Sequence, residues 1–443
     1  MRRRSASFPA LCLALVASAR ALAPKPLNSR DVNRLVGEAR GWDDVLAAST
    51  LLPLAGEETC SWEADPVHVR KRRSALKRVF AKLAQRCVGG GAAAARRDVA
   101  SDGRFARCLA LLAEDAAGAS GDAAAWRADR RESLRYVGAL AQEPGPWAAR
   151  GDLLEAAFAR AAGDGDGGAA GATALHWAAR RCAARGATLP SLERLAAAEA
   201  ALDLPFAVRP GLLAATLPDV GALKASLPLA SERIATRGGA LVLERRHTAW
   251  VAEAGVGALA YSGKLMAPKP LPAPVAVARD ALADALYGDA LRHDCALLNL
   301  YAKGEKAACK YHSDPEHGTY WHRENVVVSA GEPRRFCFRK IGRAGDDDLH
   351  TFHLFHGDVV HMFGHCQDDY QHAVLAAEDD DTNDGDRVSI VFKKAIPAPG
   401  SGRLGHGVPR AATSTRKAAP KAAGAAPKAD ARKKPRRRRA PAR

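Results

Sequence analysis

The residues best suited to chemistry lie in the run YHSDPEHGTYW, 311–321. Side chains at i and i+2 of an extended segment share a side, so His312-Ser313-Asp314 offers an imidazole and a carboxylate to one point in space. A further histidine from a neighbouring strand would complete a triad of two histidines and one carboxylate. That facial set holds Fe(II) and keeps coordination positions open for reactants. Local spacing does not choose the third ligand. Ten of the fourteen histidines fall between His293 and His372, and His350, His353, His356, His361 and His365 lie in or beside strand-like runs, where a lone histidine is ordinarily structural or solvent-facing.

The elements around these residues are short and β-like: GALVLERRHTAWVAEAG, CALLNLY, ENVVVSA, RRFCFRK, HTFHLFHGDVVHMF, YQHAVLA and RVSIVFKK. One helix interrupts them, Pro274 to Arg292, with Val275, Ala278, Leu282 and Leu286 on one face and a proline in its first turn. Many short strands beside a single helix predict a sandwich or jelly roll over 230–397. Upstream, 28–204 is a series of alanine-rich amphipathic segments punctuated by Gly and Pro. In SALKRVFAKLAQRC the residues Leu76, Val79, Phe80 and Leu83 share a helical face. No strict period names a repeat family, and the simplest expectation is an all-α scaffold with no binding role of its own. Prolines recur over 205–229, which reads as a linker. The predicted class is α+β, an all-α N-terminal region followed by a β domain.

With 443 residues, the chain has room for two or three domains. Its net charge of +17 is concentrated: 401–443 holds fourteen Lys/Arg against Asp430, so the tail carries +13 of it. A tail of Lys, Arg, Ala and Pro cannot repay the entropy of folding, so 398–443 is expected to be a disordered arm for a polyanion, nucleic acid being the usual one. Its KKPRRRRAPAR end also fits a nuclear-import signal. MRRRSASFPALCLALVASARALAP, residues 1–24, has the basic start, short apolar run and small-residue stretch of a cleaved presequence, which points to an organelle instead. No segment is long enough to span a bilayer, so no membrane partner is expected. The nine scattered cysteines, without C-x-x-C, read as reduced thiols. Nothing in the sequence speaks to oligomeric state.

Taken in order, the segments over about 240–396 resemble the AlkB-like Fe(II)- and 2-oxoglutarate-dependent dioxygenases. LLNLYAKGEKAACKYHSDPE is similar to that family's N-x-Y-x-x-G followed by H-x-D. VVVSAGEPRRFCFRK is similar to its S-x-G-x-x-R-x-F-x-F-R strand pair, GDVVHMFGHCQDDYQHAV to its G-D-x-x-x-M-x-G-x-x-Q-x-x-Y-x-H-x-V segment, and RVSIVFK to its closing R-x-N-x-x-x-R. The resemblance selects His372 as the third ligand beside His312 and Asp314. It implies a double-stranded β-helix, with Fe(II), 2-oxoglutarate and O2 as cofactor and co-substrates. It further implies co-substrate contacts from Asn299, Tyr301, Arg387, Ser389 and Lys393, and substrate contacts from Trp250, Tyr261 and Glu316.

The resemblance also implies a reaction: oxidative demethylation of N-alkylated bases in DNA or RNA, as in repair or RNA modification, on single strands or flipped nucleotides. Departures are visible. Lys393 stands where the family has a second arginine, keeping the charge and losing the planar fork, and Ser389 replaces an asparagine. Two rivals stand beside this reading. One is a protein or peptide hydroxylase of the same chemistry; the other is a non-catalytic nucleic-acid-binding protein, disfavoured by the intact His312, Asp314, His372 and Arg387.

Overall fold

A computed structural model describes residues 29–52, 66–114, 123–164, 168–235, 239–261, 264–315, 317–342, 349–376 and 385–397. The segments read above as presequence and basic tail, and Glu316, lie outside the described residues.

The N-terminal part is helical: α1 Ser29–Glu38, α2 Trp42–Ser49, α3 Pro66–Cys87, α4 Ala93–Ser101, α5 Gly103–Ala113, α6 Ala123–Leu140, α7 Gly151–Gly163, α8 Gly168–Ala183 and α9 Ser191–Ala200. Periodicity identifies the face of α3 that packs: Leu76, Val79, Phe80 and Leu83 are all buried. Phe80 meets Phe105 of α5 edge-on at 6.0 Å, and Phe105 meets Trp147 at 6.0 Å. Burying one such side chain contributes about 1.5–3 kcal/mol. Asp102 starts α5 by accepting a 2.7 Å hydrogen bond from the Arg104 amide, one of the donors a helix leaves unsatisfied. α6 and α8 cross at Gly138, where a Cβ would stand 2.7 Å from the Ala178 Cα. Only glycine permits that approach.

Strands follow. They are β1 Phe206–Arg209, β2 Arg233–Ala235, β3 Leu241–Leu243, β4 His247–Ala252, β5 Leu259–Tyr261, β6 Lys264–Met266, β7 Lys269–Pro270, β8 Cys295–Tyr301, β9 Cys309–His312, β10 Asn325–Gly331, β11 Arg334–Lys340, β12 Leu349–Leu354, β13 Val359–Met362, β14 Tyr370–Val374 and β15 Arg387–Lys393. Helices α10 Val220–Ser226, α11 Ala273–Leu286 and α12 Cys366–Asp369 lie among them. A seven-stranded sheet runs β1-β13-β10-β15-β8-β4-β7 and a four-stranded one β12-β11-β14-β9, with β2–β3 and β5–β6 as separate pairs. All pairs are antiparallel except β4 with β7. α11 covers one face of the larger sheet: Val275, Ala278 and Leu282 share a core with Leu298, Val388, Ile390 and Phe392. The alternate residues of β15 therefore point the other way. The molecule is a mixed helix and sheet protein with a large antiparallel core. Among the described residues no helix is long and apolar enough to cross a membrane.

Residues 205–229 are not a linker, contrary to the sequence reading. Phe206–Arg209 form the edge strand β1 against β13, and Phe206 stacks on Phe338 with ring centroids 4.0 Å apart. The following turn lies against Gly357, whose backbone has φ +81° and where a Cβ would come within 2.3 Å of Ala214. Four residues between prolines show too short an alternation to announce a strand. Their partner lies about 150 residues later, where local pattern cannot reach.

The helices are built onto the four-stranded sheet. Trp177 of α8 lies 6.3 Å from Phe352 and 6.5 Å from Phe355. Arg181 forms an ion pair with Asp358 in which neither side chain is exposed. Asp358 also accepts from the amides of Gly211 at 2.7 Å and Phe355 at 2.8 Å. One carboxylate thus ties α8, the β1 turn and the start of β13 together. Removing one partner of such a buried pair typically costs about 3–5 kcal/mol.

Candidate metal centre

β9 and β14 pair with His312 directly opposite His372, so the imidazoles meet across the ladder with ring centroids 4.3 Å apart. Asp314, two residues past His312, brings Oδ1 to 3.4 Å from His312 Nε2 and 3.9 Å from His372 Nε2. One ligand atom from each of the three lies within 4.8 Å of the others, the spacing of donors that share one ion. The structure thus brings together the two ligands suggested by spacing and the third selected by the resemblance.

Neighbouring groups hold each ligand in position. His312 Nδ1 lies 2.8 Å from the Lys310 carbonyl and donates there, so Nε2, which faces Asp314, is the nitrogen that a metal would take on displacing its proton. His372 lies flat against Phe336, centroids 5.7 Å apart and rings 4° from parallel. The Asp314 amide donates to Gln367 Oε1 at 2.8 Å, and the Ser313 hydroxyl donates to the Tyr370 carbonyl at 2.9 Å. The Asp314 carboxylate is divided in its duties. Oδ1 faces the histidines, while Oδ2 accepts from Lys393 Nζ at 2.6 Å and Asn325 Nδ2 at 3.1 Å.

Electrostatics follow from this crowding. Burial alone would raise the Asp314 carboxyl, but the Lys393 ammonium and the hydrogen bonds of His312 and His317 hold it well below the usual range. Burial pushes His372 down to about 3, against the pull of Asp314. For His312, burial is outweighed by Asp314 and the nearby Cys309 thiol, and its imidazole is pushed up to about 11. A negative carboxylate and a neutral His372 are the forms a cation needs as ligands.

Beyond the triad lies the inner face of β15, with Arg387, Ser389, Val391 and Lys393 at alternate positions. Ser389 and Val391 line a cavity together with Asn299, Tyr301, Tyr261, Arg246 and the three ligands. That cavity measures about 40 Å³, room for a few waters. Arg387 is fully buried. Its Nε donates to Ser329 Oγ at 3.1 Å and its guanidinium lies 5.0 Å from the Tyr301 ring, but Nη1 and Nη2 have no hydrogen-bond partner among the described residues. Burial lowers this guanidinium to about 10, so it stays charged at neutral pH. A buried, charged and unfilled fork fits a ligand carboxylate.

Two expectations change. Lys393 does not stand beside Arg387, which lies behind the cavity wall against Tyr301. The two are six residues apart on one strand, about 20 Å at the rise of a strand, and Lys393 neutralises Asp314 instead. Trp250 is no stacking wall: it is buried, donates from Nε1 to the Gly257 carbonyl at 3.0 Å and packs edge-on against Trp321 at 5.4 Å. Leu297 stands opposite it in the ladder and lines the cavity, whereas Trp250 is absent from that lining. Asn299 is buried at the cavity, where its Oδ1 accepts from Arg246 Nη1 at 3.4 Å and its Nδ2 stays available as a donor. Tyr261 does lie on the cavity, half-buried, with the Arg246 guanidinium 5.6 Å from its ring. Glu316 is outside the described residues.

The sequence reading missed Arg246, Cys309, Asn325 and Gln367. Gln367 stood inside a quoted motif, and Arg246 inside the ERRHTAW segment. Cys309, 3.7 Å from His312 Nδ1, had only its spacing of three to signal it.

Comparison with known proteins agrees with this arrangement. Residues 220–393 match the 2OG-Fe(II) oxygenase superfamily. The chain is also 31% identical over 162 residues to an uncharacterized protein, R406, of Acanthamoeba polyphaga mimivirus, covering 37% of this chain and 79% of that one. The chain belongs to the 2OG-Fe(II) oxygenase superfamily, a class of oxidoreductase dioxygenases that use Fe(II), 2-oxoglutarate and O2. Its residues fit those groups: two imidazole nitrogens and a carboxylate oxygen for the iron, and the unfilled Arg387 fork for a carboxylate of the co-substrate.

Proposed function

We propose that this chain is an AlkB-like oxidative demethylase of N-alkylated nucleic-acid bases, built on a double-stranded β-helix. The strand order supports that fold: from β8 to β15 the chain distributes β8, β10, β13 and β15 to one sheet and β9, β11, β12 and β14 to the other. The triad opens between them.

The observation that carries the substrate reading is the joint placement of Tyr261 and Arg246 on the triad's own cavity. Tyr261 belongs to the β5–β6 pair, outside both large sheets. It offers a ring face, and Arg246 a cation, to a planar group approaching the ligands. Bound Fe(II) with 2-oxoglutarate and O2 supplies the oxidising power for a C–H bond, giving succinate, CO2 and, from an N-methyl group, formaldehyde. The protein's own residues do the positioning. Asp314 is held anionic by Lys393, Arg387 anchors the far carboxylate of the co-substrate, and Phe336 fixes the plane of His372. The tail's fourteen Lys/Arg would add sequence-independent attraction to phosphates.

The test is succinate and formaldehyde release by the full chain with Fe(II), ascorbate and O2, with and without a single-stranded oligonucleotide carrying 1-methyladenine, against a His372→Ala control. Stimulation by the methylated strand alone, lost in the variant, is the expected result. Turnover of 2-oxoglutarate indifferent to the strand would keep the oxygenase and sink the demethylase reading in favour of a protein or peptide hydroxylase. Absence of turnover with iron bound would favour a nucleic-acid-binding protein.

A further inference from the structure

A second cavity, of about 390 Å³, lies between the helices and the four-stranded sheet. Arg78 and Lys82 of α3, Arg135 and Tyr136 of α6, and Arg335 and His353 of β11 and β12 line it. Arg78 and Lys82 are four apart and share a helical face, an arrangement of like charges that costs a few tenths of a kcal/mol. Arg335 and His353 are cross-strand partners. Among the described residues that line the cavity there is no acid. Among the described residues Glu132 accepts from Arg135 Nε at 3.0 Å and Nη2 at 2.5 Å. Arg135 Nη1 is turned to His353 Nδ1 at 3.5 Å. Counting the lining residues and Glu132 alone, four Lys/Arg stand against one acid. Burial, followed by Arg135, Arg335 and Arg181, holds the His353 imidazole well below its usual pKa.

This is not the metal site's cavity. Phe336 and Phe338 approach the His372 ring at 5.7 and 6.2 Å, so Arg335, alternating with them, points to the other face of the sheet. Three separate elements therefore bring cations to one concavity that the oxygenase chemistry does not use.

We propose that this cavity binds a small phosphorylated ligand, of mononucleotide size or below, held by Arg78, Lys82, Arg135 and Arg335. Guanidinium forks match phosphate oxygens, the volume falls in the usual range of about 300–1,000 Å³ for small-molecule sites, and Tyr136 with the aliphatic parts of the helices gives the ligand an apolar wall. A polynucleotide backbone would call for a strip of cations along a surface. Here they converge on one concavity instead.

The test is isothermal titration of the full chain with pyrophosphate, AMP and ATP, and separately with an unmodified single-stranded oligonucleotide. The variant is Lys82→Gln/Arg335→Gln, both half-buried positions; exposed Arg78→Gln serves as a milder second variant, with circular dichroism to verify the fold. Arg34→Gln/Arg97→Gln, which removes the same charge from positions outside the cavity lining, is the control. The expected result is binding of at least one phosphate ligand that the cavity variant weakens at least about tenfold, the control leaves within about twofold, and no matching loss for the oligonucleotide. Three outcomes overturn the proposal: no heat from any phosphate ligand at millimolar concentration, equal weakening in both doubles, which would assign binding to net charge or the tail, or equal weakening of the oligonucleotide, which would make a phosphodiester backbone the ligand.

Discussion

Arg387 and Lys393 stand on the same face of the same strand, both almost wholly buried, and the protein treats their charges in opposite ways. The Lys393 ammonium is 2.6 Å from Asp314 Oδ2 and 3.3 Å from His317 Nε2. The Arg387 fork has its Nη1 and Nη2 hydrogen-bonded to nothing among the described residues. An unpaired buried cation is expensive, several kcal/mol after relaxation. The protein tolerates that cost at one end of β15 and avoids it at the other. The lesson is that a satisfied buried charge marks a part of the site already complete, whereas an unsatisfied one marks where a ligand is to finish it.

The largest effect should come from the triad itself, which the Lys393 end of β15 supports. His372→Ala removes a ligand that no neighbour can replace, and 2-oxoglutarate turnover should fall by about three orders of magnitude or more. Persistence of turnover would show that His361 or His365, not His372, completes the site. Next comes Arg387→Met, which removes the unfilled fork while keeping an apolar stem. Losing the partner of a buried carboxylate costs about 2–5 kcal/mol, so KM for 2-oxoglutarate should rise by about two orders of magnitude with iron affinity unchanged. If KM holds and only thermal stability changes, the fork is structural and the contrast with Lys393 collapses.

Lys393→Met probes the satisfied end and should behave in the converse manner. Without Lys393 the Asp314 carboxylate keeps Asn325 and His312 but loses the ammonium 2.6 Å from Oδ2. The metal-free variant should therefore melt lower, by the few kcal/mol typical of a stranded buried charge. Anaerobic Fe(II) should restore much of the difference, because the metal supplies the missing positive charge. Iron affinity should fall about 10–100-fold, the usual cost of removing a group that supports a metal ligand, while KM for 2-oxoglutarate stays near its original value. A variant that loses 2-oxoglutarate affinity instead would return Lys393 to the co-substrate.

These contrasts also explain what could be read from the residues alone. The extended i, i+2 geometry put His312 and Asp314 together, and the order of motifs identified His372, because ladder pairing and motif order are both written along the chain. The packed face of α3 was equally legible from its period. What the sequence could not disclose was distance along a shared face. Arg387 and Lys393 have the same parity in β15, so pattern made them equivalent, and only the length of the strand separates their roles. β1 was missed for the related reason that its partner β13 is remote, and Asp358, an ordinary member of a G-D motif, gave no sign that α8 would hand it a buried arginine.

The same distinction predicts a smaller effect at two aromatic residues that the sequence treated alike. Trp250 is satisfied: its indole N–H has the Gly257 carbonyl and its ring has Trp321. Trp250→Phe should therefore cost stability, about 1–3 kcal/mol from lost volume and an unpaired carbonyl, visible as a lower urea midpoint with little change in kcat/KM. Tyr261 is half-buried on the cavity, and Tyr261→Ala should do the reverse, raising KM for the methylated strand about tenfold, within the range of one lost base stack, with a small shift in midpoint. Exchange of these two signatures would put the base against Trp250, and the contrast between a ring packed into the core and a ring set on the cavity would fail at the site's mouth.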